Sequence, residues 1–130
     1  MNEKYFDTVF LGASPTNVFP ESFAILTAFN PMDQILGPNE NLKRNQHLLD
    51  ILKSQGNYWG TITGSSQDFA HQEPSLIATG TKSQALALGL KFDQRAVFWV
   101  AKDLIEIIEC STGIAHGAGS FRKRITKNQP

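Results

Sequence analysis

Along this 130-residue chain the spacing of apolar residues changes period several times, and that limits what it can fold into. Short continuous apolar runs suit buried strands, whereas apolar positions recurring every three to four residues suit helices. A chain that alternates the two must pack helices against a sheet. Residues 8–11 and 22–29 read as strands, the second ended by Asn30-Pro31, because proline lacks a donor and restricts the residue before it. A helix is expected over 40–54, with Asn39 as its N-cap and Gly56 as its stop. Strands follow over 58–63 and 75–79. Thr81 and Gln84 then have capping-box spacing at the start of a second helix over 82–92. In that helix Ala85, Leu88, Gly89 and Phe92 share one face, and the natural compensation for a helical glycine is close approach to a sheet. Ala96–Ala101 and Leu104–Glu109, joined by Lys102-Asp103, form a hairpin signal. The order β-β-α-β-β-α-β-β predicts an α+β single domain: a mixed β-sheet of about six strands with two helices on one face.

Composition narrows the function classes. Nine Phe, two Trp and two Tyr supply a core, and a single cysteine, Cys110, excludes a disulfide framework or a Cys-rich zinc site. No stretch approaches the roughly 20 apolar residues of a membrane span, and no leader-like segment opens the chain, so a cytoplasmic location is expected. Twelve basic residues balance twelve acidic ones. Four of the bases, Arg122, Lys123, Arg124 and Lys127, lie in the last ten residues. Residues 1–120 are thus expected to form the domain and 121–130 a flexible basic tail. An acidic body with four bases and no interleaved aromatics argues against nucleic acid as a partner.

Turning the first helix by about 100° per residue places Asn41 and Asn45 among its leucines, with Arg44 at the border. An amide buried without partners costs about 1–3 kcal/mol. Something must therefore answer these two. Either they brace the loop at Asn30-Pro31-Met32, or they form a ligand-facing wall in which Arg44 and the helix N-terminus attract an anion. Thr27, Asn30, Glu73 and Gln94 stand at the ends of apolar runs, where sites are usually built. The pair His71 and Glu73 has the H-x-E spacing of zinc deaminases, but the required P-C-x-x-C does not follow. Metalloprotease, hydrolase and P-loop motifs do not occur either.

The run from Phe23 through Asn30-Pro31 resembles a block of a bacterial family of small domains, domain of unknown function 3293. The resemblance continues through Glu40-Asn41, Arg44, Leu49, Gly60, Glu73-Pro74-Ser75, Ala85 to Gly89, Phe92 and Gln94 to Val97. It departs at Asp93, where the family often has glycine, and near Phe69, where it has tryptophan. It implies a bacterial setting and a shared fold, with no activity or cofactor to carry over. The reading that follows is a non-catalytic domain in which Thr27, Asn30, Asn41, Arg44, Asn45, Glu73 and Gln94 face a small polar or anionic ligand. The alternatives are a small enzyme with Glu73 as general acid/base, and a protein-interaction module using the sheet face that no helix covers. No metal and no cofactor are expected.

Overall fold

Alternation along one strand divides the core in two. In β2 (Ser22–Leu26), Ala24 and Leu26 point to one side of the sheet and Phe23 and Ile25 to the other, and all four are buried. The computed structural model describes residues 3–126. Around β2 lie β1 (Val9–Leu11), α1 (Pro38–Gln55), β3 (Tyr58–Ser65), β4 (Gln72–Ala78) and α2 (Lys82–Lys91). The chain ends with β5 (Ala96–Ala101), β6 (Leu104–Glu109) and β7 (Ala115–Ser120). Three short 3-10 segments, Glu3–Asp7, Pro31–Asp33 (with non-helical backbone at Met32) and Arg122–Arg124, complete the set.

The seven strands form one curled sheet in the order β1-β3-β4-β2-β5-β6-β7, and every neighbouring pair is antiparallel. The α+β class stands, but the sheet is antiparallel where a mixed one was expected. The reason is topological. Each helical crossover links two strands that run the same way, β2 to β3 through α1 and β4 to β5 through α2. A third, antiparallel strand then fills each gap: β4 sits between β2 and β3, and β2 between β4 and β5. These are split βαβ units.

Both helices cover the face built from Ala24, Leu26, Leu76, Val97 and Trp99, where Leu48 and Leu52 of α1 and Ala85 and Leu88 of α2 are buried. The capping box forms as its spacing predicts: Thr81 Oγ1 accepts from Gln84 N at 3.1 Å, and Gln84 Oε1 from Thr81 N at 3.0 Å. Gly89 lies against the sheet so closely that a Cβ there would meet Cys110 Sγ at 2.6 Å and Val97 Cγ1 at 2.8 Å. The same burial pushes the Cys110 thiol up to about 11 and leaves it an unreactive core group. At the start of α1 the cap is Gly37, not Asn39, because Pro38 occupies the first helical position with a preset φ. Leu42, placed on the apolar face by periodicity, is 59% exposed.

The opposite face is not bare. Phe10, Phe23, Ile25, Val100, Ile107 and Phe121 fill the concavity of the sheet, with Tyr5 and Phe6 packed over them. This removes the uncovered surface on which the interaction-module reading rested. Strand β7, Ala-His-Gly-Ala-Gly-Ser, carries no apolar alternation and was not foreseen from the sequence.

Residues 121–126, the start of the expected flexible basic tail, are packed on the domain. Phe121 is 1% exposed, and Ile125 forms a parallel bridge to Phe10 of β1. Arg122 donates to the carbonyls of Pro15 and Asn17, and Arg124 to those of Phe6, Thr8 and Ala118. The charges dominate the composition of this stretch, but two apolar side chains and two guanidinium groups hold it down. Residues 127–130 of the expected tail lie outside the described residues.

Candidate functional site

After Leu26 the chain leaves β2 and runs toward α1 in a form no sheet ladder satisfies. Side chains supply the missing partners. Asn45 Oδ1 accepts from Ala28 N at 2.7 Å, and its Nδ2 donates to Pro74 O at 2.9 Å. Asn41, 5% exposed, accepts from Asn30 N at 3.0 Å and donates to Asn30 Oδ1 at 2.9 Å. Arg44 donates from Nε to Ala28 O at 2.7 Å and from a terminal nitrogen to Phe92 O at 2.5 Å. Gln94, also buried, donates to both Phe29 O and Phe92 O at 3.1 Å. Thr27 Oγ1 donates to Pro74 O at 3.0 Å and accepts from Phe29 N at 3.1 Å. Asn30 Nδ2 reaches Glu73 Oε1 at 3.4 Å.

All seven residues singled out in the sequence therefore meet in one cluster at the junction of β2, α1, β4 and α2. Most of their polar atoms are engaged with backbone. Among the described residues no buried side-chain nitrogen or oxygen lacks a partner. Asn41, Asn45, Arg44 and Gln94 act as a brace: they hold the 27–30 segment in place and join it to the start of β4 and the end of α2. This is the arrangement that burying amides demands, since an unanswered one costs about 1–3 kcal/mol.

The brace supports a strained loop. Asn30, Met32 and Asp33 all have left-handed backbone, with φ of 47°, 47° and 63°. Such conformations in non-glycine residues cost on the order of 1 kcal/mol or more each, and they cluster where function needs them. Met32 N is tied to Asp93 O at 2.7 Å, and Asp93 is itself left-handed at φ 55°. The loop presents Asp33 to Lys4 Nζ at 2.7 Å and to Arg95 Nε at 2.6 Å. Burial alone would raise the Asp33 pKa, but the hydrogen bonds from Lys4 and Arg95 outweigh it and hold the carboxyl below the usual carboxylate range.

Beside this loop opens a cleft of about 440 Å3, lined by Tyr5, Asp33, Gln94, Arg95, Glu109 and Ser111 among others. Glu109 Oε2 lies 2.6 Å from His116 Nε2. Burial, then the negative charge of Asp33 and of Glu73, pushes the Tyr5 phenol far above its ordinary pKa, so it stays protonated. Of the seven residues expected to contact a ligand, only Gln94 lines the cleft. Tyr5, Asp33, Glu109 and Ser111 were missed. They come from three separate segments, and neither periodicity nor spacing connects them. Among the described residues, no three His, Cys, Asp or Glu side chains converge to hold a metal ion, and no helix is long and apolar enough to cross a membrane.

A family model described as a protein of unknown function, DUF3293, matches residues 26–97, more than half of the chain. The chain belongs to this family. The DUF3293 match begins in β2 and ends in β5. It therefore contains the whole brace, the strained loop and three of the cleft's polar side chains, Asp33, Gln94 and Arg95. Tyr5, Glu109 and Ser111 fall outside it. Asp93, within the matched span, is one of the left-handed positions, a conformation that glycine adopts without penalty. No curated protein and no solved structure matches the chain.

Glu73 offers a measurable signature. Burial raises its pKa against the opposing Asn30 hydrogen bond and the Lys4 charge. A carboxyl whose folded pKa is raised binds its proton more tightly in the folded state, so its contribution favours folding below its ordinary value of 4.5 and is lost as pH rises through the folded pKa. Glu73→Gln keeps an acceptor for Asn30 and removes the buried charge. The variant is expected to be more stable than the parent at pH 7, with the difference shrinking toward pH 4. Urea unfolding at both pH values measures this, and a variant less stable at pH 7 contradicts it.

Proposed function

We propose that this protein is a soluble, cytoplasmic, non-catalytic domain that binds a small polar ligand in the cleft beside the 30–33 loop. The observation that carries the reading is the strained loop itself. Three left-handed residues hold Asp33 against Arg95 at the mouth of a cleft, and a set of buried amides maintains that geometry from behind. Backbone strain maintained by a dedicated brace is what a preorganised binding wall requires. In this reading Asn30, Asn41, Arg44 and Asn45 position the wall and do not touch the ligand. Gln94 does both, since it braces Phe29 and lines the cleft.

The enzyme reading is weaker. Glu73 has a raised pKa, but it faces Asn30 and does not line the cleft. A thermal-shift screen of the full chain against nucleotides, sugars, amino acids, amines and organic acids at millimolar concentration tests the proposal. At least one class is expected to raise the melting temperature, and Tyr5→Phe or Arg95→Gln is expected to abolish that shift. If no class stabilises the protein, or if both variants respond like the parent, the cleft is not the site.

A further inference from the structure

The cleft's polar inventory is specific enough to name a ligand class. Its walls carry two acids and one guanidinium, and Lys4 pairs with Asp33 at 2.7 Å, so these charges balance. A ligand of large net charge would leave that balance uncompensated, whereas one with separated and equal charges would keep it. Unused valences show where those charges would go. Arg95 engages Asp33 through Nε alone, at 2.6 Å, and the structure gives its two terminal nitrogens no protein partner among the described residues. That leaves the fork of donors that fits a carboxylate. Glu109 uses Oε2 on His116, and its Oε1 has no protein hydrogen bond among the described residues. The Tyr5 and Ser111 hydroxyls are likewise without protein hydrogen bonds there.

The remaining walls are apolar. Met32 and Leu90 line the same cleft while 45% and 53% exposed, although exposing apolar side chains to water is unfavourable. Arg95 and Glu109 belong to one end of the sheet: Arg95 O accepts from Cys110 N at 2.9 Å, and Ala96 pairs with Glu109 across β5 and β6. Opposite charges are thus presented from neighbouring backbone positions, with an apolar wall beside them.

Resting on the cleft reading, we infer that the ligand is a small zwitterion with a short apolar side chain, of the α-amino-acid kind. Its carboxylate lies on the Arg95 fork, its ammonium on Glu109 Oε1, and its side chain against Met32 and Leu90.

The test compares three probes that share the same isobutyl group. L-leucine carries both charges, 4-methylpentanoate lacks the ammonium, and 3-methylbutylamine lacks the carboxylate. Each is titrated into the full chain, and amide NMR shifts are followed at residues 32–33, 94–95 and 109–111. Leucine is expected to move these signals, with each truncated probe roughly tenfold or more weaker, since each loses one charge-assisted contact. Arg95→Gln is expected to weaken leucine and the acid together. Glu109→Gln is expected to weaken leucine and leave the acid unchanged. If either truncated probe binds the cleft as tightly as leucine, the zwitterion assignment is overturned while the cleft stands. If leucine moves nothing at tens of millimolar, the assignment fails, and the broader ligand screen then decides the cleft itself.

Discussion

Ending the chain after Ser120 is expected to abolish cooperative folding. The segment removed contributes Phe121, which is 1% exposed and meets Phe10, Phe19 and Phe23 with ring centroids 5.1 to 5.4 Å away. Truncating one such buried aromatic to alanine typically costs about 3–5 kcal/mol. The deletion also removes the Ile125 bridge to β1 and the two arginines that satisfy carbonyls of the 6–17 region. Domains of this size are stable by roughly 5–15 kcal/mol in all, so the combined loss exceeds what the fold has in hand. The milder Phe121→Ala in the full chain is expected to fold with stability lowered by about 3–5 kcal/mol. Thermal melts followed by near-ultraviolet circular dichroism distinguish the two. A truncated chain that melts cooperatively within a few degrees of the parent would show that the segment is decoration.

Asn41→Ala is the second large effect, with an expected loss of about 2–4 kcal/mol. Its amide satisfies both the backbone N–H and the side-chain oxygen of Asn30, the residue that begins the left-handed loop. Without it a part-buried N–H has no acceptor, and the strained turn loses the contact that defines it. Asn39→Ala is the matched control. As an N-cap Asn39 would be worth about 1 kcal/mol, but Gly37 holds that position, so the change is expected to stay within about 0.5 kcal/mol. Urea denaturation of the two variants side by side measures the contrast. Equal costs would remove the brace from this account.

What could be read from the residues alone follows a physical line. Local rules worked where the information is local: the Thr81–Gln84 capping box, Gly56 as the left-handed stop of α1 and Gly89 against the sheet all stand as their spacing implied. The hairpin also formed at Lys102-Asp103 without a glycine, with φ of 48° and 69°. There the Asp103 carboxylate accepts from Ser120 Oγ and Arg122 N, a long-range support that the turn sequence does not reveal. Strand direction was not legible, because it depends on which strand inserts between two others. Strand β7 was invisible because a Gly/Ala-rich strand is specified by its neighbour β6, not by its own side chains. The same limit applies to the site. Helical geometry turned Asn41 and Asn45 inward, but their partners at Ala28, Asn30 and Pro74 belong to segments brought near only by the tertiary fold.

The seam between β1 and the segment after β7 also bears on how the molecule comes into being. Phe6 and Arg124, which it brings together, are 118 positions apart, so synthesis supplies the second side of the seam long after the first. Until then Phe10, Phe23 and their neighbours have no lid, and the nascent polypeptide carries a sticky aromatic hollow while translation continues. Pairings between such distant positions also form slowly. The growing chain therefore keeps that hollow open until Phe121 and Ile125 have emerged to close it.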